Sequence, residues 1–334
     1  MMTPNEFTQR YEKDWQDLET LIDGARKRRR KKAENPSEPS GALPALYRRV
    51  CQHLALARER HYPPALIERL DRLALAGHQT LYAARGRLAG NIIRFAARDF
   101  PALVREHARL FWAASALFYL PALAMALLVY LQPEMVYSIF DHSEVTSFEE
   151  MYSPLKDSAA SKAGSLGGRD AGSNLVMFGF YIKNNTSIGF QCFAAGLLYG
   201  VGTLFYLTFN GLIFGAVAAH LIHQESAVRF FQFVIAHSAF ELTAIMLCGM
   251  AGLMLGRALI APGRRRRVEA LIEAARPAVQ IVYGAAVMFF IAAFIEAFWS
   301  SGAYLPPSGK FIVGGLLWAL VAAYFLFMGK RNAS

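Results

Sequence analysis

Two ionisable side chains lie four residues apart in an otherwise apolar stretch. His237 and Glu241 belong to the segment 230–260, and at this spacing they share one face of an α-helix. Ionisable groups are costly to place in an apolar bundle, so they usually face its interior or a water-filled cavity. Glu296 could meet them there, or could instead be an interfacial carboxylate. The pattern predicts an intramembrane polar site that serves structure or gating, or a proton or ion pathway.

These residues do not complete a known catalytic motif. With His220, His223 and Glu225 they suggest a metal cluster, but a zinc metalloprotease needs His-Glu-x-x-His and the order here is His-Ser-Ala-Phe-Glu. No phosphate-binding loop, nucleophile elbow or dinucleotide fingerprint occurs, and the three cysteines lack metal-type spacing. We therefore expect no catalytic residues, no metal, no cofactor and no enzymatic activity.

Asparagine and glycine residues indicate helix ends, helix breaks and close contacts. Asn184 and Asn185 are expected at a loop-to-helix junction, ahead of an uncharged stretch, 187–222, that is too long for one ordinary span. A break near Asn210 would divide that stretch into two helices. Capping and turns favour such residues, although broken helices also form substrate sites in transporters, so Asn210 joins the predicted polar site. A break or close packing is predicted at four glycines: Gly211, Gly215, Gly252 and Gly256.

Apolar runs predict six transmembrane helices, because a bilayer core of about 30 Å needs roughly 20 apolar helical residues. Lys and Arg collect at the N-terminus, at 264–267 and at the C-terminus, whereas 132–186 holds more acids than bases. The basic parts are therefore expected inside and 132–186 outside. This orientation needs an odd number of crossings between them, either three or one with re-entrant segments. The spans are expected at 110–131, 187–222 (two helices), 230–260, 279–299 and 311–328.

The chain divides into a basic head and an apolar body. Residues 1–107 carry apolar positions at helical spacing and a flexible segment near 33–42, so we expect a cytoplasmic helical domain. Residues 108–334 are expected to form the transmembrane domain. The formal charge of +10, including the basic run at 26–32, favours membrane lipids over nucleic acid as the partner. The predicted fold class is all-α, a polytopic helical membrane bundle with an N-terminal helical domain.

Four short segments together resemble one family. They are FYIKNN at 180–185, NGLIFG at 210–215, AHSAFEL at 236–242, and GLMLG at 252–256 before a basic loop. In this order they resemble the stage II sporulation protein M family, with Ser238 where that pattern is expected to have Gly. The broader pattern of the family also resembles residues 47–58, 76–82 and 100–105, so the resemblance covers most of the chain in order.

The resemblance implies a non-enzymatic scaffold in the bacterial inner membrane. The sporulation member is similar in role to an anchor for peptidoglycan-degrading enzymes, and members with a large basic head look like those associated with a MoxR-type AAA ATPase and an RDD-type membrane protein. We therefore expect organisation of envelope or peptidoglycan-remodelling partners, with a homodimer favoured by the glycine-rich faces. A transporter or channel-like permease is the alternative, and an intramembrane hydrolase using His237 and Glu241 is a weaker one.

Overall fold

The chain forms two compact helical units, residues 1–95 and 96–334. The described residues contain helices and turns and no β-strand, which confirms the all-α fold class. The boundary expected between 107 and 108 lies inside the second unit. The expected flexible segment near 33–42 lies almost wholly outside the described residues. The computed structural model describes residues 2–30, 42–152, 171–224, 226–302 and 305–330.

The first unit, residues 1–95, is called the head from here on, and its described residues form three helices. Its apolar positions recur at helical spacing, and their buried faces meet in one core that includes Trp15, Leu18, Val50 and Leu70. Burial of these apolar side chains is the main source of the stability of the head. The helices are α1 (Pro4–Arg30), α2 (Leu43–Glu59) and α3 (Pro64–Arg94).

Two polar contacts tie the head helices together. The Trp15 indole Nε1 donates to Nδ1 of the buried His53 at 3.1 Å, and Arg69 forms a bidentate pair with Glu12 at 2.7 and 2.9 Å. The Arg69 hydrogen bond lowers the pKa of the Glu12 carboxyl, so this pair stays ionised. Burial lowers the pKa of His53, because a charged imidazole loses its hydration in the core.

The second unit is a bundle of long apolar helices. Five of its described helices are long and apolar enough to cross a bilayer, which supports a multi-pass membrane protein. The α-helices are α4 (Phe100–Glu106), α5 (Ala108–Leu131), α6 (His142–Tyr152), α7 (Ala171–Ala194), α8 (Val201–His223), α9 (Ala227–Ile260), α10 (Arg267–Ile295) and α11 (Pro307–Phe327). The five candidate spans are α5, α8, α9, α11, and α10 with the π-helical turn Glu296–Ser300 that continues it.

Helices α5 and α8 run in the same direction. Gly211 of α8 lies against the backbone of Phe118 in α5, and one turn later Gly215 lies against that of Ala122. Two parallel neighbours need a return path, and α7, which precedes α8, supplies it by running antiparallel to α8. The described part of the bundle contains five candidate spans against the six expected, and α7 is a further long helix that is less apolar than those five.

Helix α9 is the centre of the bundle. Of its most apolar window 72% is buried, against 17% for α11, so neighbouring helices rather than lipid cover it. Its glycines allow the closest approaches: Gly252 lies against Cys192 at the end of α7 and Thr203 of α8, and Gly256 lies against Gly200. Small residues matter here because lipid tails are as apolar as the side chains, so tight packing must hold the helices together.

The helix break expected at Asn210 was placed wrongly. Helix α8 runs without interruption through Asn210, whose side-chain amide donates to the Tyr206 carbonyl at 2.8 Å inside the same helix. The true break lies between α7 and α8, where Tyr199 and Gly200 adopt left-handed backbone angles. Glycine tolerates these angles without the steric cost that a Cβ atom brings. The Thr203 hydroxyl bridges the break by donating to the Cys192 carbonyl at 2.7 Å.

The junction expected at Asn184 and Asn185 was also placed wrongly. Both residues lie in the middle of α7, which begins at Ala171, so residues 171–186 of the expected loop are helical. The polar sequence Lys-Asn-Asn suggested a loop because it interrupts an apolar pattern. In the structure it occupies a helix whose neighbours, α9 and α10, cover part of its polar surface.

Replacing Gly252 with Ala tests the close packing around α9. The added Cβ would overlap the Cys192 carbonyl and the Thr203 hydroxyl, so we expect the unfolding free energy to fall by about 1–3 kcal/mol. Thermal unfolding in detergent measures the change. Gly315→Ala in α11 is the matched control, because a Cβ there meets open space. Equal melting temperatures for the two variants would contradict the packing role.

Lowering the pH tests the buried His53. Its folded-state pKa lies below the ordinary value of 6.5, so the unfolded head binds the proton first. The stability contributed by neutral His53 is present above pH 6.5 and is lost as the pH falls toward the folded-state pKa. As the pH is lowered below 6.5, we expect backbone amide exchange in α1 and α2 of the full chain, corrected for intrinsic exchange rates, to accelerate severalfold. His53→Gln should abolish this response and His61→Gln, at an exposed position, should keep it.

Candidate functional site

Three ionisable side chains meet inside the bundle. His237 and Glu241 lie on one face of α9, with His237 Nε2 and Glu241 Oε2 3.8 Å apart. Glu296 approaches them from the π-helical turn after α10, and one donor atom from each residue lies within 4.8 Å of the others. His237 and Glu296 are only 4% and 8% exposed. We call these three residues the polar group.

The π-helical turn presents two further polar atoms to this region. The Ser300 hydroxyl lies 3.3 Å from His237 Nδ1, and the buried ammonium of Lys310 donates to the Ser300 carbonyl at 2.8 Å. A π-helical turn frees backbone carbonyls from the regular pattern and is common at functional sites. Sequence reasoning missed Ser300 and Lys310, because they lie on either side of the short link between the last two helices, where no local pattern marks them.

Aromatic rings separate the polar group from the beginning of α9. Phe233 packs edge-on against the His237 ring with centroids 5.3 Å apart. Tyr152, the last residue of α6, contacts Phe233 and Phe230 in turn. The imidazole is therefore enclosed by apolar side chains on this side, which strengthens the electrostatic interactions among the buried groups.

Asn210 and the two α7 asparagines have different positions. The Asn210 amide donates to the Tyr206 carbonyl of its own helix, and no hydrogen bond among the described residues joins it to the polar group. Asn184 is exposed and donates to Asn185 Oδ1 at 3.1 Å. Asn185 is 2% exposed, and its Nδ2 has no hydrogen-bond partner among the described residues. A buried donor in this state is costly unless an acceptor reaches it.

The other histidines of the second unit make separate contacts. The buried His220 pairs with Glu149 of α6 through Nε2 and Oε1 at 2.8 Å. His223 bonds the Tyr130 carbonyl at 3.0 Å and stacks on the Tyr130 ring. These contacts attach α6 and the end of α5 to α8. Glu225 lies outside the described residues.

The four glycines named from the sequence all serve packing. Gly211 and Gly215 join α8 to α5, whereas Gly252 and Gly256 join α9 to α7 and α8. None of them lies at a helix break, because the break falls at Tyr199 and Gly200. Ser238 is buried and its hydroxyl donates to the Ile235 carbonyl of its own helix at 3.2 Å, so the helix itself satisfies this hydroxyl.

The polar group can hold a positive charge. One imidazole nitrogen and two carboxylates within 4.8 Å can share protons or donate to a cation. Sequence spacing alone indicated the His237 and Glu241 pair. Glu296 was a candidate, and its approach depends on the antiparallel packing of α10 against α9.

Family models match parts of both units. A family model described as Stage II sporulation protein M matches residues 112–301, more than half of the chain. A second, described as a domain of unknown function (DUF8413), matches residues 5–83 of the head. The comparisons with curated proteins and with solved structures found no match. The first match extends from α5 through the π-helical turn and so includes the whole polar group.

Removing the Glu149 carboxylate tests the attachment of α6. Glu149 is partly exposed, so its bond to His220 is worth about 1 kcal/mol after allowance for solvent screening. For Glu149→Ala we expect amide exchange in His142–Tyr152 to accelerate about fivefold, measured in the full chain by mass spectrometry. Glu150→Ala, the adjacent exposed acid, should leave exchange unchanged. Equal acceleration in both variants would show that the His220 contact does not hold α6.

Proposed function

Because the chain belongs to the stage II sporulation protein M family, we propose that it is a non-enzymatic scaffold of the bacterial inner membrane that organises envelope or peptidoglycan-remodelling proteins. The observation that carries the proposal is the glycine-mediated packing of α7, α8 and α9. Backbones in direct contact favour one arrangement of the bundle, as a platform for other proteins requires. A transporter has to alternate between two arrangements.

The glycine contacts run along the length of α9. A Cβ atom at Gly249 would collide with Leu207 of α8, and one at Gly256 would collide with Gly200. On the other side of the bundle, Gly284 of α10 lies against the Phe100 ring of α4. Sliding or rocking of these helices would separate surfaces that fit only in this register. The resulting rigid body is suited to holding partners in fixed positions.

A charged cleft at one end of the bundle offers a place for a partner. The cleft has a volume of about 430 Å³ and lies where α5 and α10 begin and α9 ends. Glu106, His107 and Arg257 line it, together with the ion pair between Arg265 and Glu273. Mixed charges of this kind favour a protein surface of complementary charge. Under our proposal this end faces the cytoplasm, because the basic cluster at 264–267 borders it.

The proposal also includes an orientation of the chain in the membrane and a set of partners. The basic head would lie in the cytoplasm, where it would meet anionic lipid headgroups and, by family resemblance, a MoxR-type AAA ATPase. Residues 132–186 would begin outside the membrane and enter it along α7. Exposed glycines such as Gly179 and Gly315 leave open helix faces, which favours a homodimer. No nucleic acid is proposed as a partner.

A channel-like permease is the second candidate. The polar group favours it, because buried ionisable residues in a membrane often mark an ion or proton path. His237, Glu241 and Glu296 would then carry the translocated charge. Asn210, bonded inside α8, lies outside this path.

Recovery of partners from the native membrane tests the scaffold. The full chain is purified after mild cross-linking, and the accompanying proteins are identified by mass spectrometry. We expect an AAA ATPase, a further membrane protein or cell-wall enzymes in stoichiometric amounts, absent from the same preparation of an unrelated multi-pass protein. Recovery of the chain alone, together with transport by the purified protein in liposomes, would overturn the scaffold in favour of the permease.

A substitution at Glu241 separates the two candidates. Glu241→Gln keeps the size of the side chain while removing its charge. A scaffold should recover the same partners with this variant and keep its cellular function across the pH range. A permease that moves charge through the polar group should lose transport, with partner recovery unchanged.

A further inference from the structure

We propose that His237, Glu241 and Glu296 bind a divalent transition-metal cation of the Zn²⁺ class inside the membrane bundle. The inference goes beyond the proposed scaffold, since a metal can stabilise a platform or a permease alike. It rests on the positions of three donor atoms, on the orientation of the imidazole and on a buried amide without a partner.

The donor atoms are of the kind that Zn²⁺ selects. One imidazole nitrogen and two carboxylate oxygens form a common three-ligand set, and the two carboxylates balance the charge of the cation. The three donor atoms lie within 4.8 Å of one another. Zn²⁺ bonds of about 2.0–2.2 Å require donors roughly 3.4 Å apart, so side-chain movements of about 1 Å close the site.

The imidazole is turned so that one nitrogen is available. His237 Nδ1 lies 3.3 Å from the Ser300 hydroxyl and is placed to donate to it. The lone pair of Nε2 then faces the Glu241 carboxylate, 3.8 Å away. Metal-binding histidines almost always use one ring nitrogen for the metal and hold the other by a hydrogen bond of this kind.

The charge of the group also calls for a cation. Two carboxylates in an apolar bundle are costly unless positive charge or protons accompany them. The ammonium of Lys310 is nearby, bonded to the Ser300 carbonyl at 2.8 Å and 5.9 Å from the Trp299 ring centroid. A divalent cation bound by Glu241 and Glu296 would neutralise both carboxylates.

Asn185 provides an independent indication of a ligand. Its Nδ2 is buried without a hydrogen-bond partner among the described residues. Asn185 shares a face of α7 with Tyr181, one turn before it, and Gly189, one turn after it. Tyr181 packs against Ala297 and Gly189 lies beside Phe289, so Asn185 faces the helix end that carries Glu296. A water molecule in the open fourth position of the metal would accept its hydrogen bond.

Metal binding by the purified full chain tests the site. The protein in detergent is stripped with a chelator, exposed to ZnCl₂ and freed of unbound metal, and zinc is counted by mass spectrometry. We expect about one Zn²⁺ per chain that raises the melting temperature, and an affinity that rises with pH because the ligands must lose their protons. Co²⁺ in place of Zn²⁺ should give the absorption bands of a four-coordinate site.

Matched variants decide whether this site holds the metal. Glu241→Gln and Glu296→Gln, which keep side-chain size, should weaken Zn²⁺ binding by at least ~100-fold, and the positioning variant Asn185→Leu by about 10-fold. His220→Ala is the control, because this buried histidine pairs with Glu149 away from the group. The proposal is overturned if the wild-type chain binds no Zn²⁺, if both Gln variants bind it equally well, or if His220→Ala removes it. Gel filtration of each variant confirms that the chain is folded.

Discussion

Close contact between helix backbones is the constraint on which the membrane unit depends. In a bilayer the lipid competes for every apolar side chain, so helices associate only where they fit more closely than lipid does. Glycines provide this fit where α9 meets α7 and α8, and where α8 meets α5. The central position of α9 follows, and with it the enclosure of His237 and Glu241 by neighbouring helices.

The polar group depends on the same packing. His237 and Glu241 share a face because of their spacing, but Glu296 reaches them only because α10 runs antiparallel to α9 and ends in a π-helical turn. That turn also brings Ser300 to the imidazole. The precise arrangement of charges thus rests on contacts between apolar surfaces, and a scaffold and a permease would make different use of it.

The long apolar helices were predictable from the sequence, because a span needs about 20 apolar residues and few patterns imitate that. The position of the helix break was not predictable, because asparagine is common in turns and Asn210 suggested one. Only the structure shows that the Asn210 amide bonds the Tyr206 carbonyl within a continuous helix. The break falls at Gly200, which also packs against Gly256, so this glycine serves both the break and the helix packing. The roles of Ser300 and Asn185 depend on neighbours that are distant in sequence and leave no local signal.

The position of α7 has a consequence for biosynthesis. A segment containing Lys183 and two asparagines partitions weakly into lipid by itself, and α9 and α10, which pack against α7 where Asn185 is buried, are synthesised later. The nascent chain must therefore hold α7 at the translocon, or insert it as a hairpin with α8, until those helices emerge. In truncated chains that end before α9, α7 would lack these neighbours and would be exposed to membrane quality control.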